Sequence, residues 1–281
     1  ERSTVVDVTE ADDGAEVRLS DGTRLSAAHV VIATLGPIHD PALLTTRCEA
    51  RRSYAIAAPC VDPVQGTYIS LDANLVSIRP AEVVGQPGLV VGGEGHVVGE
   101  HGPRSSEARW AALERLAVTR LSAGAATHRW VAHDLTPSDH VPFIGRVAPG
   151  AERRWVATGF QKWGIATAYV AGDLLVGELD GTPRPWAPLF DPRRMAASLT
   201  TDLVRDGLRA ARHLVVDRLV DLIPGRERRP RCTHLGCVLA FDEAEQSWDC
   251  PCHGSRYEAD GSVISGPATG DLRSVRDGGG P

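Results

Sequence analysis

The residues best suited to chemistry in this 281-residue sequence lie near its carboxyl end, in RCTHLGCVLAFDEAEQSWDCPCHGSRY. Four of the six cysteines and two of the ten histidines fall there. Cys232 and His234 form one half of a four-ligand set, and Cys250 and His253 form the other, about fifteen residues further on. Thiolate and imidazole are ligands for zinc, copper and iron. Zinc fingers commonly place two cysteines in one half and two histidines in the other, whereas each half here mixes one of each. The mixing suits a cluster of two irons and two sulfides, with each loop giving one ligand to each metal. Zinc stays open as an alternative on the residues alone.

CTHLGC and CPCHGS resemble, nearly residue for residue, the two cluster-binding loops of Rieske iron–sulfur proteins. The resemblance covers about Arg231 to Leu272. It implies that Cys232 and Cys250 bind one iron of a [2Fe-2S] cluster and that His234 and His253 bind the other. It implies a disulfide between Cys237 and Cys252, joining the loops. Ser255 and Tyr257 match hydroxyls that donate hydrogen bonds to a cluster sulfur and a ligand thiolate, and Ser265–Ala268 (SGPA) matches a proline loop that covers the cluster. Neutral imidazoles in place of two thiolates leave the reduced cluster less negative. Rieske potentials accordingly run from about −150 to +300 mV, against about −400 mV for plant-type ferredoxins. The two hydroxyls are expected to put this centre in the upper part of that range. Cys48 and Cys60 lie in β-rich or turn contexts and are expected to be structural.

The elements that must hold these loops are less obvious. A helix is expected from about Leu199 to Ile223, with Val204, Leu208, Ala211, Val215, Leu219 and Leu222 at helical spacing and Pro224-Gly225 as its stop. It makes residues 196–225 a linking helix. Only the seven residues Gly225 to Arg231 then precede Cys232. A Rieske fold usually has several strands there, so the domain at 226–281 is expected to be all-β and abbreviated. Either the larger region supports its loops or a segment has been lost.

Further upstream, TVVDVTE and AEVRLS alternate between turns at Asp13-Gly14 and Asp21-Gly22, as a meander does. HVVIAT is an unbroken apolar run, expected to be a parallel strand buried on both faces. Short β segments separated by Pro and Gly follow from Arg51 to Gly93 and suggest an antiparallel sheet. Ser105 or Ser106 can cap a helix carrying Trp110, Leu113, Ala117 and Leu121 on one face, with Gly124 ending it. HRWVAHDL returns as a strand. RRWVATGFQKWGIATAYVAGDLL reads as strand, glycine turn and helix, from about Ile165 to Leu179. VVGGEGHVVGE has the wrong glycine spacing for a dinucleotide fingerprint and is expected in a strand end and turn.

VVIAT, DHVPFIG, GFQKWG and FDPRR together resemble the carboxyl-terminal two-thirds of FAD-dependent oxidoreductases of the D-amino-acid oxidase family, some of which end in a Rieske domain. The resemblance covers about Val5 to Arg194. It implies a partial flavin domain over 1–195, with a substrate-type antiparallel region at 48–135, and a flavin beside Gly159, Phe160, Lys162, Trp163, Gly164 and Ile165. Lys162 is either a charge near the flavin or a solvated turn lysine, Trp163 a packing wall, and Asp139 and His140 either face the flavin or cap a turn. That family's glycine fingerprint would lie before Glu1, so the resemblance implies FAD bound by a longer parent rather than by these residues alone. The sole methionine is Met195, which likewise makes Glu1 a processed end or a break.

The expected fold is thus mixed α/β and α+β in several domains. The expected function is an oxidoreductase that passes electrons from a small organic substrate, an amine or amino acid by analogy, through FAD to the cluster and an external acceptor. The alternatives are a non-catalytic electron-transfer module with a degenerate flavin fold, a Rieske oxygenase, and a zinc-stabilised interaction protein. An oxygenase needs two histidines and a carboxylate on a further iron, and no such set follows the cluster motif. A net charge of −6 argues against nucleic-acid and anionic-membrane partners. No apolar run approaches the ~18 residues of a membrane span, and the polar, alternating first residues carry no expectation of a signal peptide. The expected location is cytoplasmic.

Overall fold

The computed structural model describes residues 3–11, 13–38, 40–71, 75–99, 104–194, 208, 212, 213, 215, 219 and 229–272. The linking helix expected over 196–225 lies outside these residues, except at 208, 212, 213, 215 and 219, which are helical. In chain order the strands are β1 (Val5–Ala11), β2 (Gly14–Leu19), β3 (Arg24–Ala27), β4 (Val30–Ile32), β5 (Cys48–Pro59), β6 (Tyr68–Ile69), β7 (Ser77–Val83) and β8 (Gln86–Val97). Helix α1 (Ser106–Leu121) precedes β9 (His128–Pro137), β10 (Phe143–Arg146) and β11 (Arg154–Thr158), and α2 (Gly164–Leu179) follows them. The carboxyl-terminal strands are β12 (Ala240–Asp242), β13 (Ser247–Asp249), β14 (Arg256–Glu258) and β15 (Val263–Ser265). The chain forms two compact units. One is Glu1–Ala50, Asp134–Phe241 and Gln246–Pro281, and the other is Arg51–His133 and Asp242–Glu245.

In the first unit, β1, β2 and β3 form the expected antiparallel meander. Gly22, at φ 88, makes the turn between β2 and β3. A second sheet has the order β10-β11-β4, with β4 parallel to β11. Burial of β4 on both faces is not found. Val31 is 44% exposed, because β4 is an edge strand whose outer face no described element covers, while Ile32 is buried. After β11 the chain turns at Gly159 and enters α2, whose Ala171 and Leu174 pack on Ile144 and Ala157. The third sheet, β12-β13-β14-β15, encloses Leu239, Trp248, Tyr257, Leu272 and four cysteines.

The second unit is built on the sheet β6-β7-β8-β5-β9. In place of short segments, β5 and β8 run twelve residues each. Gly92 and Gly93 lie inside β8, not at a strand end. A Cβ on Gly92 would stand 3.0 Å from Ser77 Oγ, and one on Gly93 3.3 Å from Leu113 Cδ2, so both glycines admit close neighbours. Helix α1 is capped by Ser105, whose hydroxyl accepts from Ala108 N–H at 3.2 Å. Its Trp110, Leu113 and Ala117 bury against Tyr54, Ile56, Leu89 and Val91. The helix ends at Ser122, at φ 52, and not at Gly124. A short polar residue tolerates that left-handed position, and Ala123 N–H then closes on Ala117 C=O at 3.1 Å. An ion pair is buried here: Arg52 meets Asp242 at 2.5 Å, with side chains 1% and 3% exposed. Ser106 Oγ donates to the same carboxylate at 2.7 Å, and Arg52 Nε donates to His133 Nε2 at 2.9 Å.

Candidate metal centre

The two cysteine–histidine loops share one construction. In the first, Cys232 N–H bonds Cys237 C=O at 2.9 Å and Gly236 N–H bonds Cys232 C=O at 2.8 Å. In the second, Cys250 N–H bonds Ser255 C=O at 2.8 Å and Gly254 N–H bonds Cys250 C=O at 3.0 Å. Gly236 and Gly254 each stand four residues after the leading cysteine, at φ 76 and 77. Only glycine adopts that conformation freely, so each loop turns back on its own cysteine. A disulfide between Cys237 and Cys252 joins the loops, with Cα atoms 6.6 Å apart. The tyrosine-bearing strand β14 and the segment after β15 close over them.

This construction brings the four candidate ligands together. Cys232 and Cys250 are free, buried and in hydrogen-bond reach of each other. The rings of His234 and His253 lie 5.2 Å apart, nearly perpendicular. Nδ1 of each ring is buried and has no hydrogen-bond partner. Buried polar atoms are almost always paired, so two adjacent orphans beside two thiols form the donor set a metal would complete. The sulfurs of Cys237, Cys250 and Cys252 also lie within 4.8 Å of one another. Two of these are spent in the disulfide, which leaves Cys250 alone of that trio as a thiolate donor.

The surroundings favour the ligand forms of three of the four groups, Cys232, His234 and His253. The Cys232 thiol is pushed down to about 5, chiefly by its hydrogen bond with Cys250, with help from Tyr257 and Ser255. Cys250 is pushed up by the same contact and by burial, so the first proton leaves the pair readily and the second is held. Burial lowers His234, and burial and the neighbouring His234 ring push His253 down to about 4. Neutral imidazole and thiolate are the forms that bind a metal.

Ser255 and Tyr257 sit where the loops need them. Tyr257 Oη accepts from Thr233 N–H at 3.0 Å and lies 3.2 Å from Cys232 Sγ. Thr233 gives its own hydroxyl proton to Gly270 C=O at 2.5 Å, so the Tyr257 hydroxyl has two acceptors in reach, Thr233 Oγ1 at 3.1 Å and Cys232 Sγ. Ser255 Oγ accepts from Ala268 N–H at 3.1 Å, which leaves its proton for the sulfur side. Among the described residues, one isolated bridge, Arg231 to Val238, is all the pairing found at the entry to Cys232. From the first unit, Gly36 and Ile38 pack on the turn at Gly266-Pro267, and Ala50 packs on Gly254 of the second loop.

The candidate flavin residues form one turn. Gly159, at φ 75, lets the backbone close on Pro137, where a Cβ would sit 2.6 Å from Cγ. Lys162 and Gly164 are exposed, as are Trp163 and Ile165 at 60% and 84%. Phe160 turns the other way and packs against the Ile144–Leu174 cluster. No side chain caps α2, and a Cβ on Gly164 would meet nothing within 4 Å. The first N–H groups of α2 therefore have no side-chain cap among the described residues.

Asp139 does not face this turn as a lone acid. Its carboxylate takes Arg194 Nε at 2.8 Å and Nη2 at 3.0 Å, and the guanidinium stacks 4.1 Å over Phe143. Burial works to raise the Asp139 carboxyl, but Arg194 and the Val141 N–H outweigh it and hold it below 3.8. His140, at φ 59, occupies the turn beside it. The pair thus ties DHVPFIG to FDPRR, a contact across 55 residues that neither motif announces alone. Cys48 and Cys60 are buried, and burial pushes the Cys48 thiol far up, as suits structural cysteines.

Residues 1–177 match the family described as FAD dependent oxidoreductase, and residues 228–276 match the Rieske [2Fe-2S] domain. YhfW of Bacillus subtilis, named for a Rieske 2Fe-2S iron-sulfur protein, is 26% identical over 283 aligned residues, covering 89% of this chain and 55% of that protein. The chain thus spans about half the length of this relative. The cytochrome b6-f complex iron-sulfur subunit 3 of Nostoc sp. is 53% identical over 45 residues, which are 16% of this chain and 25% of the subunit. Glycine oxidase from Geobacillus kaustophilus is similar in fold, with TM-score 0.56 and 19% identity over 70% of this chain and 53% of that one. L-proline dehydrogenase from P. horikoshii gives 0.52 and 15% over 69% and 54%. No helix among the described residues is long and apolar enough to cross a membrane.

Proposed function

The chain belongs to the FAD-dependent oxidoreductase family and carries a Rieske domain behind the flavin-type region, and from that premise we propose that it passes electrons from a small organic substrate through FAD to a Rieske cluster and on to an external acceptor. The observation that carries this reading is the pair of buried, unpartnered Nδ1 atoms on His234 and His253 beside the Cys232 and Cys250 thiols. In the proposal Cys232 and Cys250 hold one iron and His234 and His253 the other. When bound, FAD supplies a two-electron centre and the cluster a one-electron centre, so that together they can split an electron pair.

The chain's own residues have definite parts in this reading. Burial keeps both imidazoles neutral, and the Cys250 contact makes Cys232 a ready thiolate. The Cys237–Cys252 bond joins the two loops covalently. Gly159, Lys162, Trp163, Gly164 and Ile165 border one edge of a flavin, where uncapped α2 N–H groups would stabilise negative charge. Phe160 supports that turn from below. The proposed division is a partial flavin domain at 1–195, a linking helix at 196–225 and a Rieske domain at 226–281. The substrate is proposed to be an amine or amino acid, the class to which the names of the two similar structures belong. The cytoplasm is the proposed compartment. The disulfide is compatible with it, since Cys237 and Cys252 are both buried from soluble thiols.

The exposure of Trp163 and Ile165 supports a second reading for this stretch of chain: a cluster-binding module that leaves its flavin edge to other parts of the protein. Visible absorption and low-temperature EPR of anaerobically purified protein decide between the two. Flavin bands with a reduced Rieske signal support the first, and the signal alone supports the second. Colourless protein containing zinc rejects both.

A further inference from the structure

After β4 the chain makes the turn Thr34–Pro37, which has one open side and one covered side. Thr34 and Leu35 are exposed, and Gly36 and Pro37 are buried. Leu35 takes the left-handed conformation, at φ 60, which an L side chain adopts at a cost. Two side-chain bonds hold the turn there. Thr158 Oγ1 donates to Leu35 C=O, and Thr34 Oγ1 donates to Gly36 C=O at 2.9 Å. Thr158 is buried, ends β11 and directly precedes Gly159, the first residue of the candidate flavin turn. On the covered side, a Cβ on Gly36 would lie 3.1 Å from Pro267 Cδ and 3.2 Å from Pro267 N, and one on Gly266 3.3 Å from Ile38 Cγ2. Glycine is what lets the backbone come so near. The next residue, Ala268, donates its N–H to Ser255 Oγ at 3.1 Å, and Ser255 C=O accepts from Cys250 N–H at 2.8 Å. These contacts run unbroken from the flavin turn to a candidate cluster ligand, and all of them lie within the first unit.

We infer that the turn Thr34–Pro37 is the electron bridge from flavin to cluster: an electron enters from Thr158 through its bond to Leu35, crosses from Gly36 to Pro267, and reaches Cys250 by way of Ala268 and Ser255. The inference rests on the proposed function and adds the route to it. Electron tunnelling weakens far more steeply across empty space than along covalent and hydrogen bonds. A route with one close crossing therefore outruns routes with wider gaps. One electron passes from the reduced flavin, which is oxidised, to one ferric ion of the cluster, which is reduced. No bond of the chain forms or breaks, and the flavin's proton goes to water. The external acceptor, a one-electron oxidant, reoxidises the cluster before the second electron follows. Thr158 and Gly36 are positioning residues here, since they set the closeness of the crossing and its approach.

Flash photoreduction of the flavin, in protein carrying both FAD and the cluster, tests the route without substrate turnover. Bleaching of the cluster times the electron's arrival. Thr158→Val keeps the shape of the residue and removes the donor to Leu35, and is expected to slow arrival several-fold with both midpoint potentials unchanged. Gly36→Ala sets a Cβ against Pro267 and is expected to slow arrival too. Thr119→Val, which removes a like bond to Arg115 C=O on α1, controls for loss of a threonine hydroxyl and is expected to keep the wild-type rate. A wild-type rate in Thr158→Val or in Gly36→Ala overturns the inference, as does equal slowing in Thr119→Val. Should one of the first two not fold, the other decides. A second readout needs no flavin. In the iron-loaded chain, hydrogen exchange over 263–268 should rise in Gly36→Ala, and unchanged exchange overturns the seating on which the route depends. Wild-type protein without flavin bands or without a cluster signal is a different result, which removes the proposed function itself.

Discussion

Tyr257→Phe removes one oxygen from a fully buried ring and leaves the packing of that ring intact. The lost hydroxyl stands 3.2 Å from Cys232 Sγ. A hydrogen bond to a charged partner contributes about 1.5–3 kcal/mol. Only the part that strengthens when the cluster gains an electron enters its potential. Taking that part as about half, or roughly 0.7–1.5 kcal/mol, and about 59 mV per tenfold change for one electron, the potential should fall by roughly 30–65 mV. The other losses are the acceptor for Thr233 N–H and the contact with Thr233 Oγ1. Thr233 is exposed, so water can replace both, and the fold should lose no more than about 1 kcal/mol. Ser255→Ala should lower the potential as well. Its stability cost is larger, about 1–3 kcal/mol, because Ala268 N–H is left buried without its acceptor. The assay is a redox titration of wild type and variants side by side, with iron and sulfide content matched. A potential that stays put or rises in Tyr257→Phe would show that the hydroxyl does not serve the sulfur.

Arg52→Met should destabilise the protein by about 3–5 kcal/mol, since it removes the Arg52 guanidinium from a buried Asp242 carboxylate. Adding Asp242→Asn should recover part of that loss, and urea unfolding of the single and double variants measures both. The Asp139–Arg194 pair predicts an acid-dependent term. The folded Asp139 carboxyl lies below its ordinary 3.8, so its stabilisation is complete above that value and is lost as pH falls through the folded value. Unfolding midpoints measured from pH 6 down to pH 2 should therefore fall less steeply in Arg194→Met than in wild type. Replacing Cys237 and Cys252 with serine opens a loop with a sequence separation of 15 and should cost about 3 kcal/mol, read from unfolding of the metal-free protein.

The gathering of two thiols and two imidazoles on paired loops was legible because its signals are local. Two cysteines, two histidines and a glycine four residues after each leading cysteine recur within two short loops, and such turns are set by neighbouring residues. The meander and α2 were legible for the same reason, through alternation, Asp-Gly turns and a glycine-to-helix junction. What the sequence hid was long-range. Arg52 and Asp242 are 190 residues apart, and Asp139 and Arg194 are 55 apart. A charged residue carries no mark of the partner it will meet. The exposed face of β4 escaped notice because an apolar run reports what a strand can bury, not what covers it. Gly92 and Gly93 looked like a turn because glycine is commoner there, yet they serve close packing within β8. The contacts of Gly36, Ile38 and Ala50 with the 266–267 turn and Gly254 went unread too, since they also join residues far apart in sequence.

The account turns on two nitrogen ligands at one iron, and ENDOR spectroscopy of the reduced protein, labelled with ¹⁵N-histidine, addresses that directly. Two strongly coupled histidine nitrogens, both lost when His234 and His253 are replaced, are the predicted result. A reduced iron–sulfur signal without nitrogen coupling, or protein that holds zinc and no sulfide after anaerobic reconstitution, would contradict it.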